Sequence, residues 1–296
     1  MSFDAGILLC DLCVLCGKRY SHELERYKSP VPAKGQYEFE MASFSIIYHK
    51  GYLTPYYTST VECPGRLKAA YSRVRNRFPV IRPEPAELED IYRVHSRAMV
   101  EQVRQEGRDT YDTALLAAGG AITASEQALG GMPCLALIRP PGHHAGPNRY
   151  WGYCFFNNIA VAISKLLVKK SVARVFVLDL DLHYGDGTEK IFKDNEAVAV
   201  VNIRHKTRQA YLDSLEQQLE NCGQFDLIAI SAGFDTYVRD WGGVLETEDY
   251  RAIGAVIRRT AQRLCQGRFF AVLEGGYYLP DLGLNVLALC EGMAGE

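Results

Sequence analysis

From residue 43 onward, short apolar runs alternate with longer amphipathic segments along the chain. The runs have the length of strands, and the segments between them repeat their apolar residues at the spacing of a helix. Strands that are apolar throughout are typical of a parallel sheet buried on both faces. We therefore expect an α/β fold with three layers, α/β/α, around a mainly parallel central sheet. The predicted strands are 45–48, 135–138, 175–178, 198–203, 227–230 and 269–273, and the predicted helices are 66–77, 114–129, 158–167, 212–221 and 247–264.

The first 42 residues lack this alternation. Residues 18–36 are charged and interrupted by proline and glycine, which is typical of a linker or arm. We predict an N-terminal arm of uncertain structure at 1–42 and a single large domain at 43–296.

Cysteine usage indicates a reducing compartment. The chain has nine cysteines at scattered spacings, an odd number that favours free thiols over a disulfide framework. Cys10, Cys13 and Cys16 recur at a spacing that would place them on one face of a helix. They could bind zinc with His22 as a fourth ligand, but packing as small apolar residues is the favoured interpretation.

Composition and charge exclude some classes of function. Hydrophobic residues make up 48% of the chain, and the net charge of -2 argues against direct nucleic-acid binding. No apolar run approaches the roughly 18 residues of a membrane span. The first 16 residues contain Asp4 and Asp11 and lack a basic start, so we expect no signal peptide. These features predict a cytoplasmic protein without membrane contact.

Ionisable or phenolic side chains directly follow four of the predicted strands. Parallel strands present their carboxyl ends at one edge of the sheet, where such folds bind ligands, so these side chains should converge. Adjacent glycines let the backbone approach them closely. Any one segment could be structural, but their convergence predicts a functional site. The segments are Arg139-Pro-Pro-Gly-His143-His144, Asp179-Leu-Asp181-Leu-His183-Tyr-Gly-Asp186-Gly, Ser231-Ala-Gly-Phe-Asp235 and Glu274-Gly-Gly-Tyr277.

The second of these segments has the pattern of a metal site. On a strand the side-chain period is two, so Asp179, Asp181 and His183 point to one side. Such groups are costly to bury at a strand end unless they bind a cation. Asp181, His183 and Asp235 supply three ligands and leave a coordination position open, as in catalytic sites. Zinc (Zn2+) is the expected ion, although Fe2+ or Mn2+ also suits two carboxylates and one imidazole.

The remaining polar groups fit the chemistry of a metal-activated water. A bound metal would lower the pKa of its water towards about 7. The adjacent His143 and His144 could act on that water as general base and acid. Histidines in this role need orienting carboxylates, and Asp179 and Asp186 are the ones left over.

A phenol completes this set. Tyr277 could donate a hydrogen bond to an oxyanion that develops on a carbonyl, with Tyr278 as its rival for the role. An activated water, a histidine pair and a phenol together describe the hydrolysis of an amide or an ester.

Three more motifs accompany the four segments: Glu62-Cys-Pro-Gly-Arg66-Leu, Val94-His-Ser96 and Gly152-Tyr-Cys-Phe-Phe-Asn-Asn158. With these seven motifs the chain resembles the histone deacetylase family of zinc-dependent amidohydrolases, which have the arginase/deacetylase fold. The resemblance spans roughly residues 44–293 and points to a prokaryote-like member with short loops.

The resemblance implies a function and a role for individual residues. The implied reaction is deacylation of an acylated lysine or another acylated amine, a linear amide. It implies a K+ ion held largely by backbone carbonyls around 179–183. It further implies that zinc is bound by Asp181, His183 and Asp235. The implied catalytic pair is His143 and His144, hydrogen-bonded to Asp179 and Asp186 respectively, and Tyr277 is expected to polarise the carbonyl. For the substrate, the resemblance implies that Gly152 and Tyr153 line the acyl-lysine channel and that Arg66 lies at the foot of the pocket near the acetate path.

Two departures from the family pattern concern the channel. The family usually continues after a segment like Asn202-Ile-Arg-His205 with a long loop whose aromatic residue faces the Gly-Tyr wall, but here a helix is predicted almost at once. We therefore expect the opposite wall to be missing or rebuilt. The aspartate with which the family grips its substrate has only a weak counterpart in Asp109.

Two other classes of function stay open. An arginase-like ureohydrolase would need a second metal and more bridging carboxylates, whereas Asp235 is followed by Thr236 and Tyr237. A non-catalytic module that binds acyl-lysine would have lost ligands or the tyrosine, and none is lost here. The sequence is also compatible with an oligomer.

Overall fold

The computed structural model describes residues 44–296. The predicted arm at 1–42, with Cys10, Cys13, Cys16 and His22, lies outside the described residues. Within the described part, the six cysteines are free thiols, and no helix is both long and apolar enough to cross a membrane.

A single sheet of seven parallel strands forms the centre of the described domain, as predicted. Its strands form because runs such as 175–178 and 227–230 are apolar on both faces and are completely buried. In chain order the strands are β1 Ser45–Ile47, β2 Val80–Ile81, β3 Cys134–Ala136, β4 Val175–Asp179, β5 Val198–Asn202, β6 Leu227–Ala232 and β7 Phe269–Leu273, and their order in the sheet is β2-β1-β3-β7-β6-β4-β5.

Helices connect the strands of this sheet. All five predicted helices are present, with ends that differ by up to six residues. A short 3-10 helix, Lys50–Leu53, follows β1. The α-helices are α1 Pro64–Val74, α2 Leu88–Ile91, α3 Arg97–Gln105, α4 Arg108–Leu129, α5 Asn158–Val168, α6 Asp186–Phe192, α7 Arg208–Asn221, α8 Thr247–Cys265 and α9 Leu279–Ala294.

Local sequence explains several helix starts. Pro64 opens α1, where the missing N–H costs nothing. Ser96 caps α3 by accepting a hydrogen bond from the Met99 N–H at 3.3 Å. Asn157 caps α5 by accepting one from the Ala160 N–H at 3.0 Å. These caps fix where the chain turns from the loops near the sheet edge into the helices.

The sheet order brings the four polar segments together. The strands that precede them, β3, β7, β6 and β4, are four consecutive neighbours in the sheet. Asp179 at the end of β4 pairs with Ser231 of β6, and Ala232 of β6 pairs with Leu273 of β7. The carboxyl ends of these strands are thus level with one another, and the expected convergence at one edge is confirmed.

Candidate active site

Asp181, His183 and Asp235 meet at the ends of β4 and β6. His183 Nδ1 lies 3.2 Å from Asp181 Oδ1 and 2.9 Å from Asp235 Oδ2. One ligand atom from each residue lies within 4.8 Å of the other two. Both carboxylates are buried, but the His183 side chain is 40% exposed. The group is therefore anchored in the core and open to solvent on its histidine side.

This donor set fits a divalent cation. Asp235 Oδ2 is buried and accepts no hydrogen bond from the described residues, because the nearby His183 nitrogen is not aligned with it. Burial and the charge of Asp181 raise the pKa of Asp235 to about 7. The neighbouring carboxylates of Asp181 and Asp235 raise the pKa of His183 to about 10. Two carboxylates held together in the core, one of them with a buried oxygen that accepts no hydrogen bond, would be stabilised by a bound cation.

A second group of three ligand-type residues lies beside the first. His143, Cys154 and Glu274 offer ligand atoms within 4.8 Å of one another, and all three are buried. Burial raises the pKa of the Cys154 thiol well above its usual value and that of Glu274 to about 7. Because burial favours their neutral forms, this group suits a cation poorly.

Glycine is required where the backbone passes the carboxylates. The Gly275 N–H donates a hydrogen bond to Asp181 Oδ2 at 2.8 Å. A Cβ atom on Gly275 would lie 2.6 Å from Asp181 Oδ2 and 2.8 Å from Asp235 Oδ2. The segment after β7 therefore approaches the predicted metal ligands at a distance that only glycine allows.

His143 is paired with a buried carboxylate. Its Nδ1 lies 3.0 Å from Asp179 Oδ2, and its Nε2 lies 3.8 Å from Asp181 Oδ1. Burial alone would lower the pKa of His143, but the charges of Asp181 and Asp179 and the hydrogen bond to Asp179 outweigh it and raise that pKa well above 6.5. These contacts favour the imidazolium form.

The surroundings of His144 favour its neutral form, in contrast to those of His143. Its Nδ1 lies 3.0 Å from Asp186 Oδ1, and its ring centroid is 4.1 Å from that of His143. Burial, followed by the positive charge of His143, lowers the pKa of His144 to about 4. The surroundings thus favour a charged ring at His143 and a neutral ring at His144, with each Nδ1 held by a different aspartate.

Tyr277 and Tyr278 face different surroundings. The Tyr277 ring stacks on Trp241 with centroids 4.2 Å apart, and burial raises the pKa of its phenol well above 10. The Tyr278 hydroxyl instead accepts a hydrogen bond from Arg239. The Tyr277 ring also lies 6.2 Å from that of Tyr153, beside the histidine pair, so of the two neighbours Tyr277 is the one that faces the site.

Comparisons with known proteins agree with this arrangement. A profile of the histone deacetylase domain matches residues 60–224 and 204–293. A "Probable deacetylase" of Methanothermobacter thermautotrophicus is 32% identical over 85% of this chain and 91% of its own length. An "Acetylpolyamine amidohydrolase" of Mycoplana ramosa is 30% identical over 63% of this chain and 64% of its own. The crystal structure of the HDA15 HD domain has the same fold, with a TM-score of 0.76, 23% identity and coverage of 86% of this chain and 89% of that one.

The chain belongs to the histone deacetylase family. The predicted family and fold are therefore confirmed. The individual residue roles implied by the family stay predictions, and the structure adds where each of those residues lies.

Arg66, the residue expected at the foot of the pocket, is completely buried. Its Nε donates to the Gly276 carbonyl oxygen at 2.7 Å, and its guanidinium carbon lies 4.9 Å from the centre of the Tyr277 ring. Arg66 also pairs with the buried carboxylate of Glu62, at 3.4 Å. The same carboxylate accepts hydrogen bonds from a second buried guanidinium, that of Arg139, whose Nε lies 2.8 Å and 3.0 Å from the two Glu62 oxygens. Arg66 thus supports the turn that carries Tyr277.

Gly152 and Tyr153, the residues expected to line the acyl-lysine channel, both have left-handed backbone conformations, with φ of 60° and 65°. A Cβ on Gly152 would lie 2.5 Å from the His144 ring, so only glycine allows this approach. The Tyr153 ring lies 6.2 Å from that of Tyr277. Tyr153 also lines a cavity of about 350 Å³ together with Tyr57, Thr58, Ser59, Tyr150, Trp151, Cys154 and Phe155.

Several residues of the site are identified by the structure and were not assigned a role from sequence. Glu274 Oε2 accepts hydrogen bonds from the N–H groups of Gly142 and His143 at 2.6 Å and 3.1 Å, which fixes the start of the histidine pair. Asp240 Oδ2 accepts the N–H groups of Tyr277 and Tyr278 at 2.6 Å and 2.7 Å. Glu274 stands inside the Glu-Gly-Gly-Tyr motif, whereas nothing in the sequence around Asp240 points to this contact.

The segment that departs from the family pattern folds as the sequence indicates. Helix α7 begins at Arg208, and its Tyr211 is buried with its hydroxyl donated to the Leu180 carbonyl at 2.9 Å. Residues 206–212 thus contribute no aromatic side chain to the site. Asp109 is exposed in the first turn of α4.

Proposed function

We propose that this protein is a metal-dependent hydrolase that cleaves the acyl-amide bond of an acylated lysine or another acylated amine. The observation that carries the proposal is the meeting of Asp181, His183 and Asp235 beside two histidines of opposite charge preference. The printed names of the relatives, a deacetylase and an acetylpolyamine amidohydrolase, support the same reaction class.

Asp181, His183 and Asp235 would hold the metal, for which zinc is the first expectation and Fe2+ the second. When bound, the ion would supply Lewis acidity for the carbonyl and lower the pKa of a nucleophilic water. Two features support this ligand set: the buried oxygen of Asp235 that accepts no hydrogen bond and the solvent-exposed side of His183. The K+ ion implied by the family stays a prediction.

The histidine pair would divide the proton transfers. His144 favours the neutral form, and with Nδ1–H donated to Asp186 its Nε2 can accept a proton from the attacking water. His143 favours the imidazolium form beside Asp179, so it can give a proton to the leaving amine. Because each Nδ1 is held by an aspartate, both Nε2 atoms are left for the reaction.

Tyr277 would donate a hydrogen bond to the carbonyl oxygen as negative charge develops there. Its raised pKa keeps the phenol protonated and able to donate. Arg66 and Asp240 would hold this ring and its backbone. Gly152 and Tyr153 would lie along the substrate's path.

The test is a panel of acetyl-lysine, longer acyl-lysine and acylpolyamine substrates on the zinc- or iron-loaded protein, with the released amine measured. We expect amine release that falls at least about a hundredfold in His144→Ala, since general base catalysis contributes roughly 10²–10⁴. Urea release from arginine would support an arginase-like ureohydrolase instead. Binding of acyl-lysine without turnover by the metal-loaded protein would indicate a non-catalytic module.

Two further expectations belong to this proposal. A cytoplasmic location would be tested by fractionation of cells that produce the protein. Light scattering on the purified chain would establish whether it forms an oligomer.

A further inference from the structure

A ring of aromatic side chains includes His183, the predicted metal ligand that is open to solvent. Each member contacts the next, and the first and last stand two residues apart on the same loop. We call this set the aromatic collar. In order around the ring its members are Trp151, His144, His183, Trp241, Tyr277 and Tyr153.

One side of the aromatic collar is organised by Trp151. Its indole stacks on the His144 ring with centroids 3.9 Å apart, and its Nε1–H donates to Asp186 Oδ1 at 3.1 Å. The hydrogen bond satisfies the only polar atom of the indole and fixes its orientation. The side chain nevertheless stays 48% exposed, so a large part of a fixed aromatic surface faces solvent.

The other side is organised by Trp241. Its indole stacks on Tyr277, with centroids 4.2 Å apart and planes 22° apart, and meets the His183 ring edge-on at 5.8 Å. The preceding residue, Asp240, accepts the Tyr277 and Tyr278 N–H groups and the Trp241 N–H at 2.8 Å. Trp241 is 53% exposed. The loop therefore holds a second half-exposed indole at the site.

The two tryptophans lie on opposite sides of the aromatic collar. Three ring contacts separate them through the two histidines, and two ring contacts and the short step along the chain from Tyr153 to Trp151 separate them through the two tyrosines. The segment that would supply a second aromatic wall in the family is short here, and its Tyr211 points into the core. Trp241 comes from a different loop, after β6, and lies against both His183 and Tyr277. Exposed aromatic surface beside a reaction centre is typical of a binding site.

We propose that Trp151 and Trp241 are the two walls between which the linear stem of an acylated amine enters, an inference that rests on the function proposed above. Neither indole carries a charge, and both present flat apolar surface, which suits the methylene groups of a straight stem. The tryptophans would therefore set specificity by stem length, while the metal ligands and histidines act on the amide.

The experiment measures binding rather than turnover. Straight-chain alkyl hydroxamates of two to eight carbons are titrated into the full-length zinc-loaded protein by calorimetry, because the hydroxamate group chelates the metal and the chain mimics the stem. We expect affinity to rise steadily with chain length in the wild type. In Trp241→Ala the eight-carbon probe should bind about tenfold more weakly or worse, while the two-carbon probe changes by less than about twofold.

Matched variants separate wall contact from disturbance of the loop. Trp241→Phe should restore part of the chain-length dependence, and Trp151→Ala should lower it as Trp241→Ala does. Val238→Ala removes an exposed apolar side chain from the same loop, outside the aromatic collar, and should bind every probe like the wild type. Metal content is measured in each variant, so that a loss of zinc is distinguished from a loss of wall contact.

The outcomes distinguish this inference from the proposed function. If the dependence of affinity on chain length disappears in the tryptophan variants, the aromatic walls are supported. If the same protein releases no amine from any acylated substrate, the proposed reaction is overturned while the walls stand. Amine release with an affinity that is independent of chain length overturns the walls and leaves the reaction standing. Equal weakening of the two-carbon and eight-carbon probes in Trp241→Ala also overturns the walls, since it indicates damage to the metal site alone.

Discussion

Replacing His95 with glutamine should remove a measurable part of the acid sensitivity of the fold. His95 is buried between two backbone groups: its Nδ1–H donates to the Gly146 carbonyl oxygen at 2.8 Å, and its Nε2 accepts the Asn157 N–H at 2.9 Å. These two contacts select the neutral imidazole, because protonated Nε2 could not accept. Burial lowers the pKa of His95 from 6.5 to about 4, against a smaller opposing effect of the Gly146 carbonyl.

The magnitude follows from the shift. Below pH 6.5 the unfolded chain takes up a proton at His95 while the folded chain stays neutral until about pH 4. Stability from this residue is therefore complete above pH 6.5 and is lost as the pH falls towards 4. At about 1.4 kcal/mol per pKa unit, the shift amounts to about 3 kcal/mol of unfolding free energy.

The assay is urea unfolding of the wild type and His95→Gln between pH 7 and pH 4.5. The variant should be less stable at pH 7, and the difference in unfolding free energy should shrink as the pH falls. His205→Gln, at an exposed histidine, is the control and should follow the wild type at every pH. A difference between wild type and His95→Gln that is constant over this range would refute the argument, because it would mean that the proton on His95 does not distinguish the folded and unfolded states.

Three further predictions concern the candidate active site. Asp181→Ala should bind no zinc where the wild type binds one ion per chain by elemental analysis, and two tightly bound ions in the wild type would contradict the ligand set. Tyr277→Phe should keep its metal while kcat falls about 10²–10³-fold, which is the contribution of one oxyanion donor. Tyr278→Phe should retain nearly full activity, and the reverse ranking of the two variants would assign the role to Tyr278. Gly275→Ala should weaken zinc binding, measured by competition with a chelator, since its Cβ would lie 2.6 Å from Asp181 Oδ2; unchanged affinity would mean that the turn relaxes without cost.

The fold and the position of the site could be predicted because they depend on local patterns. Strand β4 ends at Asp179, so Asp181 and His183 lie in the segment after the strand and not on the strand, where the period-two pattern predicts them. They still reach the predicted edge because they follow β4 directly, and the parallel sheet brings Asp235 to the same edge. Weaker patterns were missed. Strand β2 has only two residues, and helix α9 is buried along most of its length, so it lacks the polar face that identifies an amphipathic helix.

Contacts between distant loops could not be predicted in this way. The stack of Trp241 on Tyr277 depends on the path of residues 236–245, which is set by backbone hydrogen bonds such as Gly242 N–H to the Asp235 carbonyl at 2.7 Å. No periodicity in the sequence encodes that path. The sequence therefore allowed only the expectation of a missing or rebuilt wall, and the position of Trp241 beside Tyr277 came from the structure.

The opposite charge preferences of the two histidines likewise depend on surroundings rather than on motif. Both rings are held by an aspartate at 3.0 Å, so the motif alone makes them equivalent. Asp179 is buried with His143, which lies between two carboxylates. Asp186 is shared with Lys190 Nζ at 2.6 Å and Arg149 at 3.8 Å, so part of its negative charge is compensated before it acts on His144. A proton added to the pair therefore belongs on His143, and burial together with the charge of His143 keeps His144 neutral.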